Sequence, residues 1–211
     1  MNILVSGGHN LSSVLFIGTH TDDLELGAVS AMYKHKKLGD EIYYIIVADC
    51  TDLYPGLLSE SLNCVNDIQP DHVLYMNLPN RKLAETSCKE QMRQFFEMLR
   101  PDINIVYGPH IHDLHQDHAS VAEEIQRVFR HHTLIEYAVV YSSPHFTPNY
   151  FIPMTNDIVK KKLKLVSNFK SQSGKLYLTD DFLLAQLRFR GAQIGMEFAE
   201  GFNIVRWVDD I

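Results

Sequence analysis

Apolar and polar residues along this chain fall into blocks whose period switches back and forth. "SVLFIG" (residues 13–18) is a short, continuous apolar run, the pattern of a strand buried on both faces. Over residues 25–38, Leu26, Val29, Met32, Tyr33 and Leu38 recur at helical spacing, and Gly39 supplies a stop. "EIYYIIVAD" (41–49) and "DHVLYMN" (71–77) predict a second and a third strand. Residues 85–99 read as a helix with Met92, Phe95, Phe96 and Leu99 on one side and Pro101 ending it. "INIVYG" (103–108) predicts a fourth strand, residues 117–130 a helix carrying Val121, Ile125, Val128 and Phe129, and "LIEYAVVYSS" (134–143) a fifth strand. Two helices, 157–169 and 180–196, and a last strand, "FNIVRWV" (202–208), complete the pattern. Trp207 is expected to be structural in that strand, and Tyr177 to serve packing.

Strand–helix alternation is the signature of an α/β fold: a Rossmann-like, mainly parallel sheet with helices on both faces. No repeat, linker or low-complexity segment interrupts it, so residues 1–211 are expected to form a single domain. Sheets of this kind place their sites at the carboxyl ends of the strands. Two polar clusters fall at such ends. "GTHTDDLELG" (18–27) follows the first strand, and "GPHIHDLHQDH" (108–118) follows the fourth. Both therefore lie on one edge of one sheet.

Composition narrows the function class. The 211 residues carry a formal net charge of −7, which argues against a nucleic-acid or anionic-membrane partner. Cys50, Cys64 and Cys88 are too few and too irregular for a disulfide framework, and are expected to be reduced and mostly buried. The first ten residues hold no Lys or Arg, and no run of about 18 apolar residues occurs. The expectation is a cytoplasmic protein with no membrane span. The run "KKKLK" (160–164) predicts a solvated helix face. His35, His72, His131, His132 and His145 are expected to be surface or structural.

The first loop lacks the glycine spacing of a dinucleotide or nucleotide phosphate loop. Its residues suit a divalent ion instead. Imidazole and carboxylate are zinc ligands, and a catalytic zinc takes about three protein ligands. His20 and Asp23 can face one point across a turn, and His118 on the same edge can supply the third ligand. The ion would offset repulsion among Asp22, Asp23 and Glu25. Asp22 would remain free to act as a base, with His115 close by. Favourable interaction of those acids with a helix N-terminus is the competing explanation. "HIHDLHQDH" is also close to the H-x-H-x-D-H run of metallo-β-lactamase-like hydrolases. That reading is excluded by Asp113, which stands two before His115, and by the strand–helix alternation.

Taken together, "THTDDLELG" resembles the [AS]-H-P-D-D-x-E-x-G motif of the PIG-L/LmbE-like zinc-dependent N-deacetylases, and "DLHQDH" resembles that family's D-x-H-x-D-H. "FKSQ" (169–172) and "RFRGAQIGMEFAEGF" (188–202) are similar to its C-terminal pattern. The resemblance spans roughly residues 14–208. It implies zinc, or another divalent transition metal, held by His20, Asp23 and His118. Asp22 would deprotonate the metal-bound water. A positively charged His115 would stabilise the oxyanion, and Asp117 would orient a histidine. The substrate it implies is an N-acetylated amino sugar or sugar conjugate, from which acetyl is removed; relatives of this kind often assemble, so a homo-oligomer is a candidate state. The chain departs from the pattern at Thr21, where proline is usual, and at Leu24. "SESLNCVND" (59–67) lacks the arginine that the family carries in its helix after the second strand, leaving Arg81 or Lys82 as the candidate cation. The alternatives are a non-catalytic sugar- or nucleotide-binding module on the same fold, and a metal-dependent esterase or phosphoesterase.

Overall fold

The computed structural model describes residues 11–209. In chain order the elements are β1 (Ser13–Gly18), α1 (Asp23–Gly27), α2 (Val29–Leu38), β2 (Glu41–Ile46), α3 (Leu57–Ile68), β3 (His72–Tyr75) and α4 (Thr86–Leu99). They continue with β4 (Ile105–Pro109), α5 (Gln116–Val128), β5 (Thr133–Tyr137), β6 (Tyr150–Pro153), α6 (Asn156–Ser167), α7 (Asp180–Ala192) and β7 (Ala199–Arg206). The seven strands lie in the order β3-β2-β1-β4-β5-β7-β6. β1 to β5 are mutually parallel, and β7 runs antiparallel to both β5 and β6. The Rossmann-like, mainly parallel arrangement read from the alternation is therefore present.

The topology fixes where a site can form. After β1 the chain moves toward β2; after β4 it moves the other way, toward β5. Right-handed crossovers then place the following helices on opposite faces, and a crevice opens where the two loops part. α4 packs on α5 on one side, while α1, α2 and α3 pack with α6 on the other. The core is continuous between them. Val14, Leu15, Phe16 and Ile17 of β1 are all fully buried, as a central parallel strand requires.

Several expectations are corrected. The helix expected over 25–38 is two helices, parted at Ala28 (φ −136°, ψ 15°). The second strand ends at Ile46 and the fifth at Tyr137. Beyond Tyr137 the apolar run turns instead: Val139 O accepts from the backbone of both Ser142 and Ser143. α3 and β6 are not legible as period. α3 buries Leu57, Ser61, Cys64 and Ile68, a stripe that its serine disguises. β6 is four residues long and ends on a proline at the sheet edge. Trp207 lies beyond β7 and is 54% exposed. Lys162, expected on a solvated face, is fully buried. All three cysteines are free and buried. Among the described residues no helix is long and apolar enough to cross a membrane. The first ten residues, on which the expectation of no leader rests, lie outside the described residues.

Candidate metal centre

His20 follows β1 by two residues, and its backbone N–H donates to Asp23 Oδ2 at 2.8 Å. That bond closes the turn and aims the Asp23 carboxylate back past the strand end. Thr21 between them is fully buried, and its hydroxyl makes no hydrogen bond, so it holds the turn by packing. From the other side of the crevice, α5 starts after His115 and carries His118 in its first turn.

Three donor atoms from the two loops converge. His20 Nδ1 and His118 Nε2 are 3.2 Å apart, His118 Nε2 and Asp23 Oδ2 3.3 Å, and His20 Nδ1 and Asp23 Oδ2 3.7 Å. Ligands about 2.0–2.1 Å from a tetrahedral ion stand about 3.3–3.4 Å from one another. The triangle therefore fits a zinc-sized divalent cation, and its N/N/O chemistry suits one. A second set, His20, His115 and Asp117, also brings donor atoms within 4.8 Å of each other. Its donor groups carry more hydrogen bonds from the backbone than those of the first set. His115 Nδ1 accepts the Asp117 N–H at 3.2 Å, and Asp117 accepts from Arg81 N at 2.7 Å and Leu83 N at 3.3 Å.

The far nitrogens complete the arrangement. His20 Nε2 faces Asp117 Oδ2 at 3.3 Å, and His118 Nδ1 faces Asp113 Oδ2 at 3.1 Å. A carboxylate behind each imidazole fixes its ring and its tautomer, the usual support for metal-ligating histidines. Asp113 also accepts from Ser142 Oγ, Ser143 Oγ and His115 N at 2.9, 2.5 and 2.8 Å. Burial alone would raise its pKa; the hydrogen bonds from His118, Ser143 and the His115 backbone outweigh that and hold it at about 2. Burial likewise opposes charge on His118, but Asp23 and Asp113 overcome it and raise the pKa to about 9. A proton and a divalent cation thus compete for one electronegative point.

The three acids of the first loop have separate fates. Asp23 belongs to the triangle. Glu25 turns into the core, accepts from Tyr44 Oη at 2.9 Å, and is raised by burial to about 8. Its other oxygen, Oε2, is buried without a hydrogen-bond partner, and it lies outside the metal-competent groups. Asp22 lines the crevice, its pKa raised by burial and then by the Asp23 charge.

The neighbouring cavity, about 180 Å³, is lined by Asp22, His115, Cys50, Leu57 and Arg81, with Tyr54, Tyr141, Lys175 and Tyr177 among its other walls. Tyr141 and Tyr177 stack at 4.3 Å between ring centroids, so Tyr177 is a wall of this cavity and not mere packing. Lys175 Nζ lies 5.7 and 5.6 Å from the Tyr54 and Tyr177 centroids. Of the two cations proposed to replace the missing arginine, Arg81 reaches the cavity and Lys82 is not among its lining residues. Arg81 takes a left-handed backbone (φ 63°), held by the Asp117 bond and by Gln116 Nε2 donating to its carbonyl at 2.9 Å. A larger groove of about 540 Å³, lined by Tyr33, Asp67 and several lysines, contains none of the metal-competent groups.

Sequence reasoning missed Asp113, Tyr141 and Lys175. Asp113 opens the "DLHQDH" motif that carries the resemblance and excludes a rival motif, but it was given no role of its own, although its place five residues before His118 was available as a signal. For Tyr141 and Lys175 the sequence holds none, because only the tertiary fold brings their loops to the crevice.

The resemblance implied a cation at His115. Here its Nδ1 accepts a backbone N–H, which assigns the neutral tautomer with the proton on Nε2. Burial, and then the His118 and His20 charges, lower its pKa.

Comparison with known proteins agrees with this fold. The chain is 23% identical over 185 residues to "Uncharacterized deacetylase YaiS" of Escherichia coli (strain K12), covering 80% of this chain and 96% of that one. It superposes with a TM-score of 0.80 on the conserved protein TT1542 from Thermus thermophilus, at 18% identity, covering 95% and 98% of the two chains. For N,N'-diacetylchitobiose deacetylase from Pyrococcus horikoshii the TM-score is 0.77 at 20% identity, covering 93% and 84%. These identities speak for the fold. The model of the family described as "PIG-L: GlcNAc-PI de-N-acetylase" matches residues 15–129, more than half of the chain and the stretch that contains both loops, and the chain belongs to that family.

Proposed function

We propose that this protein is a metal-dependent N-deacetylase that hydrolyses the acetamide of an N-acetylated amino sugar or sugar conjugate. The observation that carries the reading is the triangle of His20 Nδ1, Asp23 Oδ2 and His118 Nε2, with Asp22 beside it and outside it. Zinc or a related divalent ion, when bound, supplies Lewis acidity: it polarises an amide carbonyl and lowers the pKa of a water. His20, Asp23 and His118 hold it, and Asp117 and Asp113 keep the two imidazoles turned inward.

Asp22 takes the proton of the attacking water. Burial and the Asp23 charge raise its pKa toward the range where a carboxylate works as a base. His115 presents Nε2–H as a hydrogen-bond donor to the oxygen that gains charge, and Asp22 passes the proton it took from the water to the departing amine. A neutral donor already aimed at the site needs no reorganisation as charge develops. Tyr141 and Tyr177 give a flat apolar wall for a sugar ring, and Arg81 and Lys175 give two cations at the same cavity. The parent family's description and the deacetylases among the related proteins support amide hydrolysis on an amino sugar as the class.

The test is acetate release from a panel of N-acetyl amino sugars by protein loaded with zinc. The Asp22→Ala variant should lose about 10²–10⁴ in turnover, the usual worth of a general base, and keep its metal. Loss of metal from this variant would exchange the roles of Asp22 and Asp23. Full zinc occupancy with no acetate from any substrate would leave a sugar-binding module as the better account.

A further inference from the structure

The break between α1 and α2 is repaired by two buried side chains from distant parts of the chain. In an uninterrupted helix the carbonyls of Glu25 and Leu26 would accept from the N–H groups of Val29 and Ser30. Here Lys162 Nζ donates to Glu25 O at 3.1 Å and to Leu26 O at 2.6 Å. The Ser30 N–H donates instead to Glu200 Oε2 at 2.7 Å. Lys162 Nζ and Glu200 Oε1 join at 2.6 Å, with both residues buried. The lysine takes the orphaned carbonyls, the glutamate takes an orphaned N–H, and their opposite charges satisfy each other.

This splice sits behind the metal triangle. α1 is five residues long, too short to persist by its own hydrogen bonds, yet its start carries both Asp22 and Asp23. Its end is pressed against β5: a Cβ on Gly27 would lie 2.3 Å from the Tyr137 ring. α1 is thus gripped at the Gly27 end and at its last carbonyls, while Asp23 is aimed across the crevice at His118. We propose that Lys162 and Glu200 act as positioning residues, fixing α1 so that Asp23 and Asp22 meet His20 and His118 in working geometry. The proposal rests on the metal-dependent reading of the site, but its first readouts need no turnover.

A buried ion pair is a costly way to secure a helix when packing alone would serve. Replacing such a pair with apolar residues of similar volume is often neutral or stabilising, whereas removing one partner is strongly destabilising. That asymmetry separates positioning from stability. Lys162→Met leaves Glu200 unpaired and should lower both Tm and zinc affinity. The double variant Lys162→Met/Glu200→Leu removes the unpaired charge but leaves the Glu25 and Leu26 carbonyls and the Ser30 N–H without their partners, and should recover part of the Tm but not the splice. Its zinc affinity, measured by competition with a chromophoric chelator, should stay at least about tenfold below that of the unmodified protein, the scale expected when support behind metal ligands is removed. Amide hydrogen exchange of the metal-free double variant should rise at residues 22–27 while β1 stays protected. With acetate release, the fall should appear in kcat and not in KM. A double variant whose zinc affinity and exchange at residues 22–27 match those of the unmodified protein would overturn the proposal, and so would one whose exchange rises equally in β1 and at residues 22–27. If the unmodified protein binds zinc tightly but releases no acetate, the deacetylase reading fails while the affinity and exchange data still decide the splice.

Discussion

Among the described residues two buried histidines each hold an aspartate, and one of the two, His118, belongs to the candidate metal centre. His118 Nδ1 pairs with Asp113 at 3.1 Å; His35 Nδ1 pairs with Asp40 at 2.7 Å. The pairs are alike in burial and spacing, since each aspartate is five residues from its histidine. The difference lies at the other nitrogen. His118 Nε2 faces His20 and Asp23, whereas His35 Nε2 faces the Tyr107 hydroxyl at 3.1 Å. His118 stands at the carboxyl edge of the sheet, in the crevice between two diverging loops. His35 sits at the end of α2, with Asp40 just before β2, at the opposite edge. A His–Asp pair by itself carries no function. A second anion and a second imidazole on the free nitrogen give it a metal-competent face; a phenol there makes it a brace.

The sharpest break of that comparison is His118→Ala. It should abolish tight zinc binding and lower acetate release by about 10³-fold or more, the scale expected when a whole catalytic group is lost. Metal analysis after gel filtration and an acetate assay check both. Next in size is Asp113→Ala, which leaves His118 in place but frees its ring; zinc affinity should fall about 10–100-fold. An unchanged affinity would mean that Asp113 does not orient the His118 ring for the metal. The smallest functional effect should come from His35→Ala. It leaves Asp40 and Tyr107 short of a buried partner and should cost about 1–3 kcal/mol of stability in a denaturant melt. Zinc affinity and kcat/KM of that variant should stay within about twofold of the unmodified protein, because surroundings remote from the ligands add to them independently. A His35→Ala protein that folds but cannot bind metal would erase the distinction between the two pairs.

The legibility of the sequence follows the same line. β1 and the start of α5 are readable because a buried parallel strand is uniformly apolar and an amphipathic helix is periodic. Their ends mark the two polar loops, so His20, Asp22, Asp23, His115, Asp117 and His118 can be singled out together. Lys162 reads as solvated because its neighbours in "KKKLK" are lysines. Side-chain direction on a helix turns by about 100° per residue, so one lysine of a run can face inward when a carboxylate waits there. The helix over 25–38 reads as continuous for a related reason. Its apolar spacing survives the break, since the lost hydrogen bonds are replaced by groups 136 and 170 residues away.

The state of each titratable group is not legible at all. "TDDLE" shows three equivalent acids. Folding makes one a buried core residue on Tyr44 with a raised pKa, one a member of the metal triangle and one a wall of the crevice. His115 shows only that it is a histidine; the Asp117 N–H decides its tautomer.

By itself the sequence determined the strand–helix alternation apart from α3, β6 and the break at Ala28, the edge where polar loops collect, and the residue types placed there, because these depend on local period and on chain topology. The tertiary structure alone decided which acid keeps its charge, which lysine is buried, and which aromatic rings wall the cavity. Those outcomes depend on desolvation and on partners that are remote along the chain, and no local pattern of residues records either.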